Sequence, residues 1–262
     1  MRRAGRTTSG VLAIISDIHG NLPALEAVFA DMAGMGGVEA VLCLGDVVGY
    51  GPQPIECLEL VAQRCKLILM GNHEHALIYG AYGFNAPARR AIEWTRAQFD
   101  AVEPPARRRD LLALIGELPI RHEFGDILLV HGSPRDPVME YVLESDLWDG
   151  ADEHKMTEIF AAFPRLCFVG HTHRPGVFTE DRCFLPASEL AEGFATGDGR
   201  YLINVGSVGQ PRDHDPRACY CLVSGEAVYF RRVLYDFAAT VGRYRLVPEL
   251  DQRLADRILR GE

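Results

Sequence analysis

The stretch Leu42–Pro54, LCLGDVVGYGPQP, places a single carboxylate, Asp46, just after a short apolar run. The run at Val41–Leu44 is short, apolar and followed by glycine, which predicts a buried strand. The glycines that follow predict a tight turn, so Asp46 is left at the carboxyl end of that strand. In layered α/β folds, ligands bind at the carboxyl ends of the strands.

Four more stretches repeat this pattern of an apolar run followed by Asp, His or Asn among glycines. They are Ile14–Asn21 (IISDIHGN), Leu69–Glu74 (LMGNHE), Val130–Pro134 (VHGSP) and Val169–Pro175 (VGHTHRP). Their polar residues are hard oxygen donors and imidazoles, which are ligands of divalent metal ions. We therefore expect the five stretches to converge on two metal ions, with Asp46 bridging them.

The order of the predicted elements indicates an α/β fold. Strands alternate with helices in the first part of the chain, for example the helix predicted from Leu22 to about Met35, and later strands are joined by tight turns. This order predicts two mixed β-sheets packed face to face with helices outside, a four-layer α/β/β/α sandwich. We predict a disordered tail at residues 1–9 and a single domain at 10–262, with largely helical excursions at about 76–118 and 135–164.

Composition narrows the possible functions. The 262 residues are 48% hydrophobic and carry a net charge of −9, which argues against a general nucleic-acid-binding surface. No apolar run approaches the length that spans a membrane, and the basic N-terminal residues lack the apolar segment of a signal peptide. The seven cysteines are an odd number, mostly in apolar runs, which favours reduced thiols in a cytoplasmic protein.

The spacing of the candidate ligands along the chain indicates which of them can point toward the same site. Asp17 and His19 lie two apart at a strand end, as do His171 and His173, so each pair can point toward one site. A set of carboxylate, amide and imidazole ligands without thiolate favours Mn²⁺, Fe, Zn²⁺, Co²⁺ or Ni²⁺ over a pure Mg²⁺ site. The candidate ligands are Asp17, His19, Asp46, Asn72, His131, His171 and His173.

The charge of such a centre favours phosphate chemistry. Two divalent ions would outweigh Asp17, Asp46 and a bridging hydroxide, so the centre would stay positive and attract a phosphate oxyanion. The bridging hydroxide would attack phosphorus in line, as in known two-metal sites. His73, beside Asn72, is a candidate donor of a proton to the leaving group, although it could instead hold the Asn72 loop in place.

The ordered motifs D-x-H-G-N, G-D-x-x-G-Y-G-P, G-N-H-E, H-G-S-P and G-H-T-H-R-P resemble those of the calcineurin-like metallophosphoesterase superfamily over about residues 11–235. The resemblance implies the α/β/β/α sandwich and a catalytic His73. It also implies that one ion is held by Asp17, His19, Asp46 and His173, and the other by Asp46, Asn72, His131 and His171.

The loop Asn204–Asp213, NVGSVGQPRD, resembles that of the small prokaryotic phosphodiesterase branch, which also contains some dinucleoside-polyphosphate hydrolases. The candidate substrate-binding residues are Asn72, His73, Arg212 and Tyr50. Serine/threonine protein phosphatases carry D-R-G in the second motif, whereas this chain has Gly49-Tyr50-Gly51. Protein-phosphatase activity is therefore disfavoured.

Several of these residues also have ordinary structural explanations. Arg212 could form a surface ion pair with Asp213 or Asp215 instead of contacting phosphate, and Tyr50 could pack the glycine loop instead of contacting a base. Glu74 is expected to support the site or cap a helix. His214 could line the pocket, and the aromatic residues at 79–99 could belong to the core or stack on a nucleobase.

The leading functional hypothesis is a phosphodiesterase that acts on a small-molecule or nucleotide phosphate ester. The alternatives are a dinucleoside-polyphosphate hydrolase, a phosphomonoesterase, and, from another class, a non-catalytic interaction scaffold. A scaffold would be indicated by lost ligands, and every ligand position here is filled. The sequence leaves the metals, the substrate and the oligomeric state open.

Overall fold

The computed structural model describes residues 10–148 and 154–262, so the tail predicted at residues 1–9 lies outside the described part. The strands are β1 Val11–Ile15, β2 Val38–Cys43, β3 Leu67–Ile68, β4 Arg121–Phe124, β5 Ile127–Val130, β6 Leu166–Val169, β7 Gly176–Thr179, β8 Phe184–Pro186, β9 Phe194–Ala195, β10 Tyr201–Asn204, β11 Ala218–Ser224 and β12 Ala227–Val233. The helices are α1 Leu22–Met35, α2 Pro54–Arg64, α3 Asn72–Tyr79, α4 Ala86–Asp100, α5 Pro105–Gly116, α6 Lys155–Ala161, α7 Phe237–Arg245 and α8 Arg253–Arg260.

The strands form two six-stranded mixed sheets. The first has the order β3-β2-β1-β11-β12-β9 and the second the order β4-β5-β6-β10-β7-β8. In the first sheet β1, β2 and β3 are parallel, and in the second β5, β6 and β10 are parallel. Parallel strands end at one edge of their sheet, so three polar loops leave each sheet together.

The sheets pack face to face through alternate strand residues. Ile14 and Leu42 of the first sheet share a buried cluster with Phe168 and Ile203 of the second. The neighbouring Ile15 points to the opposite face, into a cluster that includes helical side chains. Since side chains alternate along a strand, β1 is apolar on both faces and appears in the sequence as a continuous apolar run.

Helices cover the outer faces of both sheets. Leu25 of α1, Leu58 of α2 and Leu254 of α8 belong to the buried cluster on the first sheet. Ile159 and Phe160 of α6 pack against the second sheet. Burying one such side chain contributes about 1.5–3 kcal/mol, so each layer is stabilised by several of these contacts. The predicted α/β/β/α sandwich is confirmed.

The prediction that residues 135–164 are mostly helical is wrong for the described part. Only a 3-10 turn, Glu144–Leu147, and α6 are helical there, and residues 149–153 lie outside the described residues. Ser133 Oγ accepts from the backbone N–H groups of Arg135 and Asp136, and Asp136 Oδ1 accepts from those of Val138 and Met139. Such local bonds compete with helix formation.

Other boundaries also differ from the predictions. The apolar run at 66–70 predicts a strand and the residues after it a turn, whereas β3 has only two residues and Asn72 is already the first residue of α3. The sequence also predicts a final helix from about Glu249 to Leu259, whereas α8 begins at Arg253, and it gives no prediction for the short edge strand β9. Capping by Glu74, described below, explains why α3 starts so early.

All seven cysteines are free thiols, as expected. Within residues 10–148 and 154–262, none of the helices is long and apolar enough to cross a membrane.

Candidate metal centre

The predicted ligands are brought together at the shared edge of the two sheets. Three groups of potential ligand atoms each lie within 4.8 Å of one another. The groups are Asp17, His19 and His173; His19, Asp46 and His73; and Asp46, His131 and His171. The amide oxygen of Asn72 lies 3.0 Å from His131 Nε2, so all seven predicted ligands meet at one centre.

The backbone at this centre adopts an uncommon conformation. Five of the seven candidate ligands have positive φ, from 49° at His19 to 65° at His171. A residue with a side chain is strained in this left-handed region, at a cost of about 1–2 kcal/mol. Strain of this kind clusters at functional sites, where the backbone is bent to aim side chains. The five residues are Asp17, His19, Asp46, His171 and His173.

Backbone carbonyls fix the orientation of three imidazoles. In each case Nδ1 faces a carbonyl oxygen, which can only accept a hydrogen bond, so Nδ1 carries the proton. The lone pair is then on Nε2, which faces the centre. The pairs are His19 with Val48 (3.3 Å), His131 with Leu44 (3.2 Å) and His173 with Gln210 (2.6 Å).

His171 is held in the opposite way. Its Nε2 lies 3.1 Å from the Met139 carbonyl oxygen, which assigns the proton to Nε2 and leaves the lone pair on Nδ1. Its ring stacks on Tyr141, with centroids 3.7 Å apart and planes at 21°. Its backbone N–H donates to Asp17 Oδ2 at 3.0 Å. The segment around Tyr141 therefore positions this imidazole.

These tautomers make the centre a collection of acceptors that face one another. His19 Nε2 and His173 Nε2 are 3.1 Å apart, and His173 Nε2 is 3.1 Å from Asp17 Oδ1. His131 Nε2 lies 3.4 Å from Asp46 Oδ2. Buried lone pairs at such distances repel unless a cation or proton lies between them. The donor set therefore fits divalent metal ions.

The pKa shifts of most of the candidate ligands also favour the deprotonated forms that bind metal ions. Burial opposes ionisation of Asp46, but the surrounding imidazoles hold the pKa of Asp46 well below its usual value. Burial, followed by the charge on His131, lowers the pKa of His171 to about 3. Burial also acts to lower the pKa of His131, but Asp46 outweighs it and raises that pKa to about 9. A cation beside Asp46 would replace that proton, since metal ligands must be deprotonated.

Glu74 connects the loop that follows β2 to the loop that follows β3 through hydrogen bonds to their backbone N–H groups. The fully buried carboxylate accepts from the backbone N–H groups of Asp46 (2.7 Å), Val47 (2.8 Å), Val48 (3.0 Å) and Gly71 (2.9 Å). Burial and the charge of Asp46 raise the pKa of Glu74 to about 7, whereas the four donors favour the anion. The expected supporting and capping role of Glu74 is what the structure shows.

The α3 N-terminus faces Asp46. The backbone N–H of His73 donates to Asp46 Oδ1 at 2.8 Å, in the first turn, where free N–H groups favour an anion. A side chain at Gly71 would collide with the Asp46 carboxylate, so this close approach requires glycine. Asp46 is thus fixed from both sides.

His73 borders the centre within an aromatic wall. Its Nε2 is 4.0 Å from Asp46 Oδ2, farther than the Nε2 atoms of His131 (3.4 Å) and His19 (3.6 Å). Its ring contacts Tyr50 at 4.5 Å and Phe84 at 5.2 Å between centroids. Burial lowers the pKa of His73 to about 4, so the ring is neutral near pH 7. Through Phe84, the segment at about 76–118 contacts the site at His73.

The other candidate residues divide between site and surface. Tyr50 packs against His19 at 4.8 Å as well as against His73. His214 is exposed. Asp213 pairs with Arg232 and Asp215 pairs with Arg217 at 2.6 Å, so the surface ion pair considered for Arg212 is not formed.

Sequence reasoning missed Gln210, Met139 and Tyr141. Gln210 lies inside the quoted loop Asn204–Asp213, so attention to its polar side chains could have found it. Met139 acts through its backbone carbonyl, and no sequence pattern signals that. Beside the His171-Thr172-His173 turn is a cavity of about 220 Å³, lined partly by Leu143, Thr172 and Phe184.

Metal binding should stabilise the fold measurably. Adding Mn²⁺ at about a hundred times its Kd to chelator-treated protein should stabilise it by about 2.7 kcal/mol. That corresponds to a Tm increase of about 5–10 °C by calorimetry. A His122→Ala variant, altered at an exposed histidine, should keep the increase, and an Asp17→Asn, His171→Ala variant should lose it. An unchanged Tm for the natural sequence would contradict metal binding here.

Comparisons with known proteins agree with this geometry. The family model described as calcineurin-like phosphoesterase matches residues 10–175. The chain is 38% identical to a metallophosphoesterase from Sphaerobacter thermophilus, whose crystal structure matches with a TM-score of 0.81 over 97% of this chain and 100% of that one.

Two sequence relatives add to this. The chain is 35% identical over 257 residues to the uncharacterized protein MJ0912 of Methanocaldococcus jannaschii, across 93% of this chain and 97% of that protein. It is 30% identical over 140 residues to the symmetrical bis(5'-nucleosyl)-tetraphosphatase of Acidovorax sp.. This match covers 46% of this chain and 43% of that protein. The fold, the clustered ligands and the match over residues 10–175 together show that the chain belongs to the calcineurin-like phosphoesterase family.

Proposed function

We propose that this protein is a cytoplasmic, metal-dependent phosphodiesterase that hydrolyses a small-molecule or nucleotide phosphate ester. The observation that carries the proposal is the buried set of facing acceptors, which needs cations and lies at the carboxyl ends of parallel strands. The filled ligand set argues against a non-catalytic scaffold.

The residues divide into two ion sites that share Asp46. Asp17, His19, Asp46 and His173 would hold one divalent ion, preferably Mn²⁺, and the second would be held by Asp46, Asn72, His131 and His171. In support, Asp46 Oδ2 is within 3.6 Å of both His19 Nε2 and His131 Nε2, one from each set. Bound ions would polarise a phosphoryl oxygen and lower the pKa of water.

The protein's own side chains would bind the ester and move its proton. Burial lowers the pKa of His73 and of His173, and a smaller lowering of both comes from the charge of the Arg212 guanidinium. The guanidinium is therefore placed to bind the non-reacting phosphate oxygens. His73 Nε2 faces the centre, and its ring is neutral near pH 7 before substrate binds. The negative charge of a bound phosphate would favour the protonated ring, which would then donate its proton to the leaving oxygen and return to the neutral form. Tyr50 would border the bound ester.

The function can be tested with bis(p-nitrophenyl) phosphate, assayed after reconstitution with each of Mn²⁺, Ni²⁺, Co²⁺, Zn²⁺ and Mg²⁺. We expect metal-dependent turnover that a chelator abolishes. The phosphomonoester p-nitrophenyl phosphate should be a poorer substrate. No turnover with any metal would refute the proposal, and a preference for the monoester would refute the diesterase part.

Replacing His73 by Gln should separate proton donation from binding. We expect kcat for a p-nitrophenyl diester to fall about a hundredfold, with a small change in KM, because general acid catalysis contributes about 10²–10⁴-fold. An alkyl leaving group needs the proton more, so its hydrolysis should fall further. His75→Gln, two residues along α3, is the control. Equal losses for both leaving groups would contradict the acid role.

A dinucleoside-polyphosphate hydrolase is the second candidate. It is favoured by the similarity to the Acidovorax protein, whose name describes this activity, although the match spans less than half of either chain. Diadenosine tetraphosphate therefore belongs in the substrate panel.

A further inference from the structure

Two buried donors next to the metal centre lack acceptors. Gln210 is 1% exposed, and within residues 10–148 and 154–262 nothing pairs with its Nε2. The same is true of Arg212 Nε, which is also buried. Arg212 Nη2 donates to Gln210 Oε1 at 2.9 Å, so the two side chains form one unit with free N–H groups. Buried donors are nearly always paired in native proteins, so these are set up for an acceptor.

The position of this unit is fixed by the metal centre itself. The carbonyl oxygen of Gln210 accepts from His173 Nδ1 at 2.6 Å, and the backbone N–H of Arg212 donates to the His173 carbonyl oxygen at 3.2 Å. Ser207 Oγ accepts from the Gln210 N–H at 2.8 Å and donates to the Asp17 carbonyl oxygen at 2.7 Å. The backbone that carries the free donors is therefore bonded to His173 directly and to Asp17 through Ser207.

A second arginine approaches from the last helix. The final turn of α8 is docked on the same loop, because the backbone N–H of His214 donates to the Gly261 carbonyl oxygen at 2.9 Å. Arg257 lies one turn earlier and is half-buried, with its Nε donating to the Glu262 carbonyl oxygen. Burial and then the charge of Arg212 lower the pKa of Arg257, whereas the charge of Glu262 acts to raise it. The Arg257 guanidinium is therefore within electrostatic reach of both Arg212 and Glu262.

No carboxylate in the described ranges neutralises Arg212. The nearby Asp213 and Asp215 are taken by Arg232 and Arg217. Two neighbouring guanidinium groups repel each other unless an anion lies between them. In a protein with a net charge of −9, an arginine that no carboxylate of the described residues pairs with, beside the metal centre, indicates an anionic ligand.

We propose that Gln210, Arg212 and Arg257 form a second anion subsite, which binds the phosphate adjacent to the one being cleaved. Among phosphate esters, the preferred substrates are then those in which a second phosphate adjoins the reacting one, such as a nucleoside or dinucleoside polyphosphate. This inference rests on the proposed function and extends it, since a single phosphate would fill only the metal centre.

A binding experiment tests the subsite independently of catalysis. The Mn²⁺-loaded protein should bind the non-hydrolysable α,β-methylene ADP about tenfold more tightly than AMP, measured by isothermal titration calorimetry, because the second phosphate gains charge-assisted hydrogen bonds. Arg257→Gln and Gln210→Glu should each remove most of this preference. Arg260→Gln, on the same helix but exposed and paired with Glu262, should keep it.

Kinetics provide the second readout. We expect Arg257→Gln to lower kcat/KM for diadenosine tetraphosphate about tenfold more than kcat/KM for bis(p-nitrophenyl) phosphate. Urea unfolding of each variant identifies loss of stability, and Gln210→Glu tests the subsite if Arg257→Gln is unstable.

The possible outcomes distinguish the two proposals. Equal affinity for α,β-methylene ADP and AMP, together with diester hydrolysis, would overturn the subsite and leave the phosphodiesterase standing. A preference for α,β-methylene ADP that Arg257→Gln and Gln210→Glu abolish, in a protein that hydrolyses no ester, would support the subsite and refute the proposed function. A preference that survives both substitutions would also overturn the subsite.

Discussion

Replacing Asp46 by Asn should lower kcat for bis(p-nitrophenyl) phosphate by at least about a thousandfold. The Asn side chain keeps the size of Asp46 and an oxygen for the His73 N–H at 2.8 Å, so the α3 N-terminus should stay in place. What is lost is the negative charge that faces His19 and His131. Charge stabilisation at a metal centre is worth several kcal/mol, and about 1.4 kcal/mol corresponds to a factor of ten.

Metal content should fall with activity. Mass spectrometry of the purified Asp46→Asn protein should find fewer divalent ions per chain than in the unaltered protein, because Asp46 belongs to both of the proposed ligand sets. Asp126→Asn, at an exposed residue paired with Arg165, is the matched control and should leave activity and metal content unchanged. A folded Asp46→Asn protein with turnover within tenfold of the unaltered protein would show that catalysis does not depend on the Asp46 carboxylate.

The sandwich and the clustered ligands could be predicted because their signals are local. In Ile14–Asn21 a doubly buried strand appears as a continuous apolar run, and its polar turn follows at once. The same holds for Val169–Pro175. Parallel strands bring such ends to one edge, so five short patterns were enough to place the seven candidate ligands together.

Contacts made through backbone atoms could not be predicted in this way. The Met139 carbonyl oxygen fixes His171, yet any residue at position 139 would offer that oxygen. The donors that reach Glu74 come from two loops more than 20 residues apart, and their convergence depends on the positions of β2 and β3 in the sheet. The polar side chain of Gln210 can be noticed in the sequence, but the bond from His173 to its backbone carbonyl oxygen cannot.

Turn chemistry explains the main error in secondary structure. Residues after His131 contain helix-compatible side chains, but Ser133 and Asp136 bond to nearby backbone N–H groups and hold an irregular path. That path brings Met139 and Tyr141 to His171. The irregular segment is thus the one that shapes the site, and helical periodicity carries no information about it.

The early start of α3 depends on Glu74, whose replacement should damage both stability and activity. Oε1 accepts from Val47 and Val48, and Oε2 accepts from Asp46 and Gly71, so each oxygen serves two backbone N–H groups. Gln has one acceptor oxygen, and in either orientation its amide N–H₂ faces two of these donors. Each buried donor left unpaired costs about 1–3 kcal/mol, so Glu74→Gln should lose about 2–6 kcal/mol in urea unfolding.

The activity of Glu74→Gln should fall beyond what unfolding explains, because the Asp46 loop and the start of α3 lose their common anchor. We expect kcat to drop at temperatures where the variant is fully folded. Glu74→Asp, which keeps the charge with a shorter reach, should recover part of both losses. Glu93→Gln, at an exposed position on α4, is the control and should change neither. An unchanged unfolding midpoint for Glu74→Gln would mean that the four N–H groups find other acceptors, and the anchoring role would then be wrong.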